Sequence, residues 1–96
     1  MAVRLVITLT AAPGRGAAFA EAMAKRCEEV AAEPGCRQFE VFRSVTAPDR
    51  LTLLELWEDE AALAAHARMN ASRAPLPQGL SAGAVEREDY AYNRTR

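Results

Sequence analysis

The sequence predicts an α+β domain with the element order β-α-β-β-α-β. Three observations carry that reading. Runs at residues 3–10, 37–45, 51–57 and 84–92 alternate in polarity or are rich in branched and aromatic residues, as strands are. Stretches 16–33 and 59–69 consist mainly of good helix formers and repeat apolar side chains every three or four positions. Turn residues stand at the joints: Ala12-Pro13-Gly14, Pro34-Gly35 and Ala47-Pro48-Asp49-Arg50.

The first strand places Val3, Leu5, Ile7 and Leu9 on one side and Arg4, Val6, Thr8 and Thr10 on the other, so it belongs in the middle of a sheet. The first helix, 16–33, carries one apolar stripe of Phe19, Met23, Cys27 and Val30, with Glu21 and Lys25 four apart on its wet side. Pro34-Gly35 stops it. The second strand sets Phe39, Val41 and Arg43 against Gln38, Glu40 and Phe42. The third sets Leu51, Leu53, Glu55 and Trp57 against Thr52, Leu54 and Leu56. Asp59 is the N-cap of the second helix, with Glu60 in its first turn, and Ala62, Leu63, His66 and Ala67 share the sheet-facing side. Residues 70–83 read as an irregular loop that could serve as a lid, and 93–96 as a frayed basic tail.

The apolar strands are the first and third, and the charged ones are the second and fourth. A ferredoxin-like antiparallel sheet of spatial order 4-1-3-2 has that requirement, with two helices on one face. The central strands are apolar on both sides, so the uncovered face calls for a partner, and a two-fold homodimer supplies it.

Ninety-six residues make one domain, 1–96, burying roughly 60–70% of its unfolded surface. A net charge of −1 with interspersed signs offers no basic face for nucleic acid. No run has membrane-spanning length and the N-terminus reads as a strand, so the expectation is a cytoplasmic protein. Cys27 and Cys36 are too few for a disulfide framework and read as small buried hydrophobes. One His and two Cys lack metal spacing. Pro13-Gly14-Arg15-Gly16 lacks both the Lys-Ser/Thr of a phosphate loop and dinucleotide-binding spacing, so no cofactor is expected.

Pro13-Gly14, Glu33-Pro34-Gly35-Cys36, Phe39-Glu40-Val41-Phe42-Arg43, Glu55-Leu56-Trp57-Glu58-Asp59-Glu60 and Ala62-Leu63…His66 together resemble the antibiotic biosynthesis monooxygenase (ABM) domain family of the dimeric α+β barrel group. The resemblance covers about residues 3–70. It implies a homodimer with one cavity per subunit between sheet and helices. The family includes cofactor-free oxygenases of phenols and quinols, haem-degrading enzymes and an isomerase of a small sugar-like signal. Many members carry a His-Phe pair further along the second helix, where this chain has Asn70 and Ala71. The haem-degrading branch needs an Asn on the first strand, a Trp on the second helix and a downstream His. This chain has Ile7, His66 and no second histidine, so haem degradation does not fit.

His66 is the candidate catalytic base, since its unperturbed pKa alone lies near neutrality; the structural alternative is a core-edge histidine bonded to backbone. Trp57 is a candidate wall for a planar substrate, its indole N–H a donor to a quinone oxygen, or else a core aromatic. Phe39 is pocket wall or core. Arg43 is a candidate partner for a developing oxyanion, or a solvated edge residue. Glu55, a carboxyl inside a central strand, should pair with Arg43 or Arg4 or titrate upward, acting as glue, second base or dimer contact. The expected function is cofactor-independent monooxygenation of an aromatic polyol or quinol. Its alternatives are an isomerase using His66 and Glu55 on a small carbonyl compound, and a non-catalytic small-molecule-binding dimer.

Overall fold

A computed structural model of the chain describes residues 1–92 and 96, so most of the tail expected at 93–96 lies outside the described residues. The elements are β1 (Ala2–Ala11), α1 (Gly16–Ala31), β2 (Cys36–Arg43), β3 (Arg50–Trp57), α2 (Glu60–Ala71) and β4 (Ser81–Tyr92). All sheet pairings are antiparallel and the strand order is β2-β3-β1-β4, the ferredoxin-like order predicted.

Register follows polarity. Leu5 lies opposite Glu55, Ile7 opposite Leu53 and Leu9 opposite Leu51, and Leu53 in turn faces Val41 on β2. Directly opposed residues share a face, so these side chains point together toward the helices. Phe19, Met23, Cys27 and Val30 of α1 meet Leu5, Leu9, Leu51, Leu53 and Trp57 in one buried cluster, with Leu63 of α2 against it. The opposite face carries Val6, Leu54 and Leu56, all half-buried, and the exposed Phe42 and Tyr90.

Several joints are fixed by side chains. The start of α1 has no capping side chain of its own. Instead Asp49, from the β2–β3 turn, accepts from the backbone N–H groups of Gly14 (2.9 Å) and Gly16 (3.0 Å), supplying the missing acceptor from a distant segment. A Cβ at Gly16 would stand 1.9 Å from the Pro48 carbonyl oxygen, so this contact requires glycine. Asp59 caps α2 as predicted, accepting from Ala62 N–H at 2.8 Å. Gly35 has φ +79°, and a Cβ there would meet Ala62 at 2.5 Å. This tight turn lets the start of α2 approach the turn that follows α1.

Several boundaries differ from those the sequence predicts: α2 runs on to Ala71 instead of residue 69, and three others have a visible cause. β2 ends at Arg43 instead of residue 45, because the Ser44 hydroxyl accepts from the N–H groups of Thr46 and Ala47 and folds the chain into a turn. α1 ends at Ala31, and Glu33 N–H bonds back to Val30 O in a tightened exit. β4 begins at Ser81, because a register shift between Leu9 and Ala11 extends the pairing past the irregularity. The connection between α2 and β4 is therefore shorter than 70–83. It lies as a strap beside α1, with Leu76 against the core, Leu80 buried and Arg26 donating to Ala74 O.

Candidate functional site

A cavity of about 540 Å3 opens between the sheet and the helices. Leu5, Ile7, Leu9 and Leu53 form its floor, Met23 and Leu63 stand on the helical side, and Phe39, Glu55 and His66 supply one wall. Arg26, Glu60, Asn70 and Arg87 complete its polar lining. Its size and mostly apolar lining suit a small organic molecule. The strap, residues 72–80, contributes nothing to the lining, so the expected lid does not cover this opening.

His66 is buried on the sheet-facing side of α2. Its Nδ1 lies 3.0 Å from Glu33 Oε1 and 3.3 Å from Oε2. An ionised carboxylate only accepts, so Nδ1 carries the proton and donates; in the neutral imidazole Nε2 is then the basic nitrogen. Glu33 is also buried, and Arg73 Nη1 approaches its Oε2 at 2.6 Å, at an angle too oblique for a hydrogen bond. Arg73 reaches Glu29 as well, at 3.7 Å. A buried carboxylate flanked by an imidazole N–H and a guanidinium has the partners that burial demands.

Trp57 is fully buried and stands behind the histidine instead of lining the cavity. Its ring stacks on His66, with centroids 4.7 Å apart and planes 29° from parallel. Phe39 closes the aromatic group, 5.5 Å from the imidazole and edge-on to Trp57 at 6.5 Å. The indole N–H, which the sequence leaves available for a quinone oxygen, donates to Glu55 Oε1 at 2.9 Å. Glu55 pairs with neither arginine expected for it. Arg4 donates to Gln38 on the open face, and Arg43 donates to Pro48 O at the far end of β2. The structure thus gathers His66, Trp57, Phe39 and Glu55, and leaves Arg43 outside that group.

Burial pushes the Glu55 carboxyl above its ordinary 4.5, opposed by the Trp57 hydrogen bond and the nearby His66 charge. Because the folded value is raised, the stability this group contributes is fully present below the unfolded pKa. It is lost as pH rises through the folded value. Glu55→Gln keeps an acceptor for the indole and cannot ionise. Its urea midpoint is expected to gain on the wild type's between about pH 4 and about pH 7. A gap of equal size at both pH values would show that the Glu55 carboxyl titrates in the native protein as it does in the unfolded chain, with no upward shift.

The sequence reading missed Glu33 and Arg87. Glu33 lies three residues beyond Val30, where the apolar stripe of α1 would continue, and that offset was the available signal. Arg87 lies opposite Ile7 on β4, its fork held by Asp89 through two bonds of 2.7 Å. Only the β1–β4 register reveals its direction.

Among the described residues, no group of three or more His, Cys, Asp or Glu side chains is placed to hold a metal, and no helix is long and apolar enough to cross a membrane.

Comparison with known proteins gives a consistent result. The sequence model of the family described as antibiotic biosynthesis monooxygenase matches residues 2–75. No curated protein matches the chain. Among solved structures, a Pseudomonas aeruginosa protein is 25% identical with a TM-score of 0.79, covering 97% of this chain and 95% of its own. A conserved protein of Methanosarcina mazei is 24% identical at a TM-score of 0.77, covering 97% and 94%. A Mycobacterium tuberculosis protein is 19% identical at 0.75, covering 99% and 98%. The last two likenesses are of fold.

Proposed function

This chain belongs to the antibiotic biosynthesis monooxygenase family, and from that premise we propose that it oxidises an aromatic polyol or quinol with dioxygen, without a cofactor. The observation that carries the reading is an imidazole in the wall of an apolar cavity with its Nδ1 held by a buried carboxylate. His66 Nε2 then takes a phenolic proton, and the electron-rich phenolate passes one electron to dioxygen. The resulting radicals couple to form a carbon–oxygen bond. Loss of the ring C–H proton and cleavage of the O–O bond expel water, for which Glu55, whose protonated form burial favours, supplies a proton. Hydroquinone and dioxygen become hydroxyquinone and water. Phe39 contributes the aromatic wall, with Trp57 as its backing. The test is oxygen uptake with a panel of hydroquinones and polyphenols under metal-free conditions, with one dioxygen consumed per hydroxyquinone formed.

A second reading has its own support. Glu55, whose protonated form burial favours, and His66 line one cavity, and an acid–base pair of this kind can move a proton across a small carbonyl compound. Turnover that persists without oxygen selects this isomerase-type chemistry over the first reading.

The protein is further proposed to act as a homodimer. Val6, Leu54, Leu56, Phe42 and Tyr90 form an open apolar strip across the sheet, and a second copy covers it. Light scattering at micromolar concentration is expected to give twice the 10.4 kDa chain mass. A monomer mass near neutral pH would remove this proposal.

A further inference from the structure

We infer that Glu33 and Arg73 are positioning residues for His66, fixing which nitrogen of the imidazole is basic. The inference deepens the proposed function and rests on His66 acting as a base. It starts from three placements. Glu33 stands just past the end of α1, in the turn that Gly35 makes possible, and its backbone is tied at both sides: N–H to Val30 O at 2.9 Å and C=O to Cys36 N–H at 3.1 Å. Arg73 follows the C-cap of α2, its N–H bonded to Asn70 O at 3.2 Å. His66 lies on α2 itself. Two helix ends thus deliver a carboxylate to one ring nitrogen and a guanidinium to that carboxylate.

The chemistry of each contact has a direction. Both Glu33 oxygens lie within 3.3 Å of Nδ1, so the carboxylate has its acceptor face on that atom. The opposite tautomer would set an unprotonated Nδ1 against an ionised carboxylate, with two lone pairs facing each other. The Arg73 guanidinium at 2.6 Å compensates the buried charge, and Glu29 in turn engages Arg73 and Arg26 at 3.7 and 3.9 Å. Trp57 stacked on one ring face and Phe39 tilted at 5.5 Å limit rotation, so the hydrogen bond and the packing set one orientation together. Neither Glu33 nor Arg73 lines the cavity, so both act through His66 and do not touch a substrate.

The test reads the imidazole directly and needs no substrate. Nitrogen-15 NMR on the full chain, recorded for the neutral ring, is expected to show His66 in the Nδ1–H tautomer in the wild type. Glu33→Gln presents an amide that can either accept from Nδ1–H or donate to bare Nδ1. The variant is expected to populate both tautomers, with the Nδ1–H form no longer dominant. A wild type resting as Nε2–H, or a Glu33→Gln spectrum identical to wild type, would overturn the inference. If Glu33→Gln does not fold, Arg73→Lys and Arg73→Met decide in turnover. Lysine is expected to hold kcat within about twofold, and methionine to lower it about tenfold with KM within twofold. Equal kcat for both variants would overturn the positioning role of Arg73. The two failures are distinguishable: absent turnover with a single Nδ1–H tautomer sinks the oxygenase reading alone, and normal turnover with a mixed tautomer sinks this inference alone.

Discussion

Replacing His66 with alanine is expected to lower oxygen uptake on a hydroquinone substrate about a hundredfold, within the usual range for loss of a positioned general base. The histidine is the one imidazole of the cavity wall among the described residues, and a buried carboxylate fixes one of its nitrogens. Alanine removes it without stranding Glu33, which keeps Arg73 at 2.6 Å. It also opens space beside Trp57, so the variant must first be shown to be folded, and the change in Trp57 emission on unfolding reports that. Imidazole added to the solution can enter the vacated space and is expected to restore part of the activity. Uptake unchanged by the substitution would keep the oxygenase reading and discard His66 as its base. Absence of uptake by the wild type with every quinol tried would move the assignment to the isomerase chemistry or to a binding role.

How much of this was legible in the sequence depends on what alternation can encode. A period of two sorts side chains into two sides, and it grouped Phe39 with Val41 and Glu55 with Trp57; which side meets the helices comes from the folded register. It does not give height along the strand. Arg43 shares the face with Phe39 but lies four residues further along, beyond the cavity, where Pro48 O takes its Nε–H. The same limit applies to Trp57, which shares the helix-facing side yet stands behind the imidazole. Glu33 was hidden for a different reason. A glutamate before Pro-Gly reads as a solvated helix end, and only the three-residue step from Val30 betrays its inward direction. Arg87 and Arg26 reach the cavity from an edge strand and a helix flank, positions that composition marks as solvent-facing. The fold was easier because its pattern is redundant: each central strand, each helix stripe and each turn points to the same sheet order.

Trp57→Ala is expected to destabilise the protein by about 3–5 kcal/mol, the usual cost of deleting a fully buried large aromatic. Set against a total of about 5–15 kcal/mol for a native domain, that loss can leave the chain largely unfolded. Trp57 sits where β3 ends, opposite Val3 on β1 and Cys36 on β2, so its removal empties the space beneath both His66 and Phe39. Trp57→Phe separates packing from hydrogen bonding. Phenylalanine keeps an aromatic face for His66 but cannot donate to Glu55, whose buried acceptor then goes unmet at about 1–3 kcal/mol. The indole bond is one of the influences holding the Glu55 pKa down, so its loss moves that carboxyl further upward. The Phe variant's deficit is therefore expected to be smaller in acid, where the group is protonated in both proteins, and to grow toward neutrality. Urea midpoints at both pH values measure it. A Phe variant as stable as wild type at neutral pH would mean that the indole N–H contributes nothing to holding Glu55 in the wall. A Phe variant as unstable as the Ala variant would mean that the bond, and not the ring, is what the fold needs at this position.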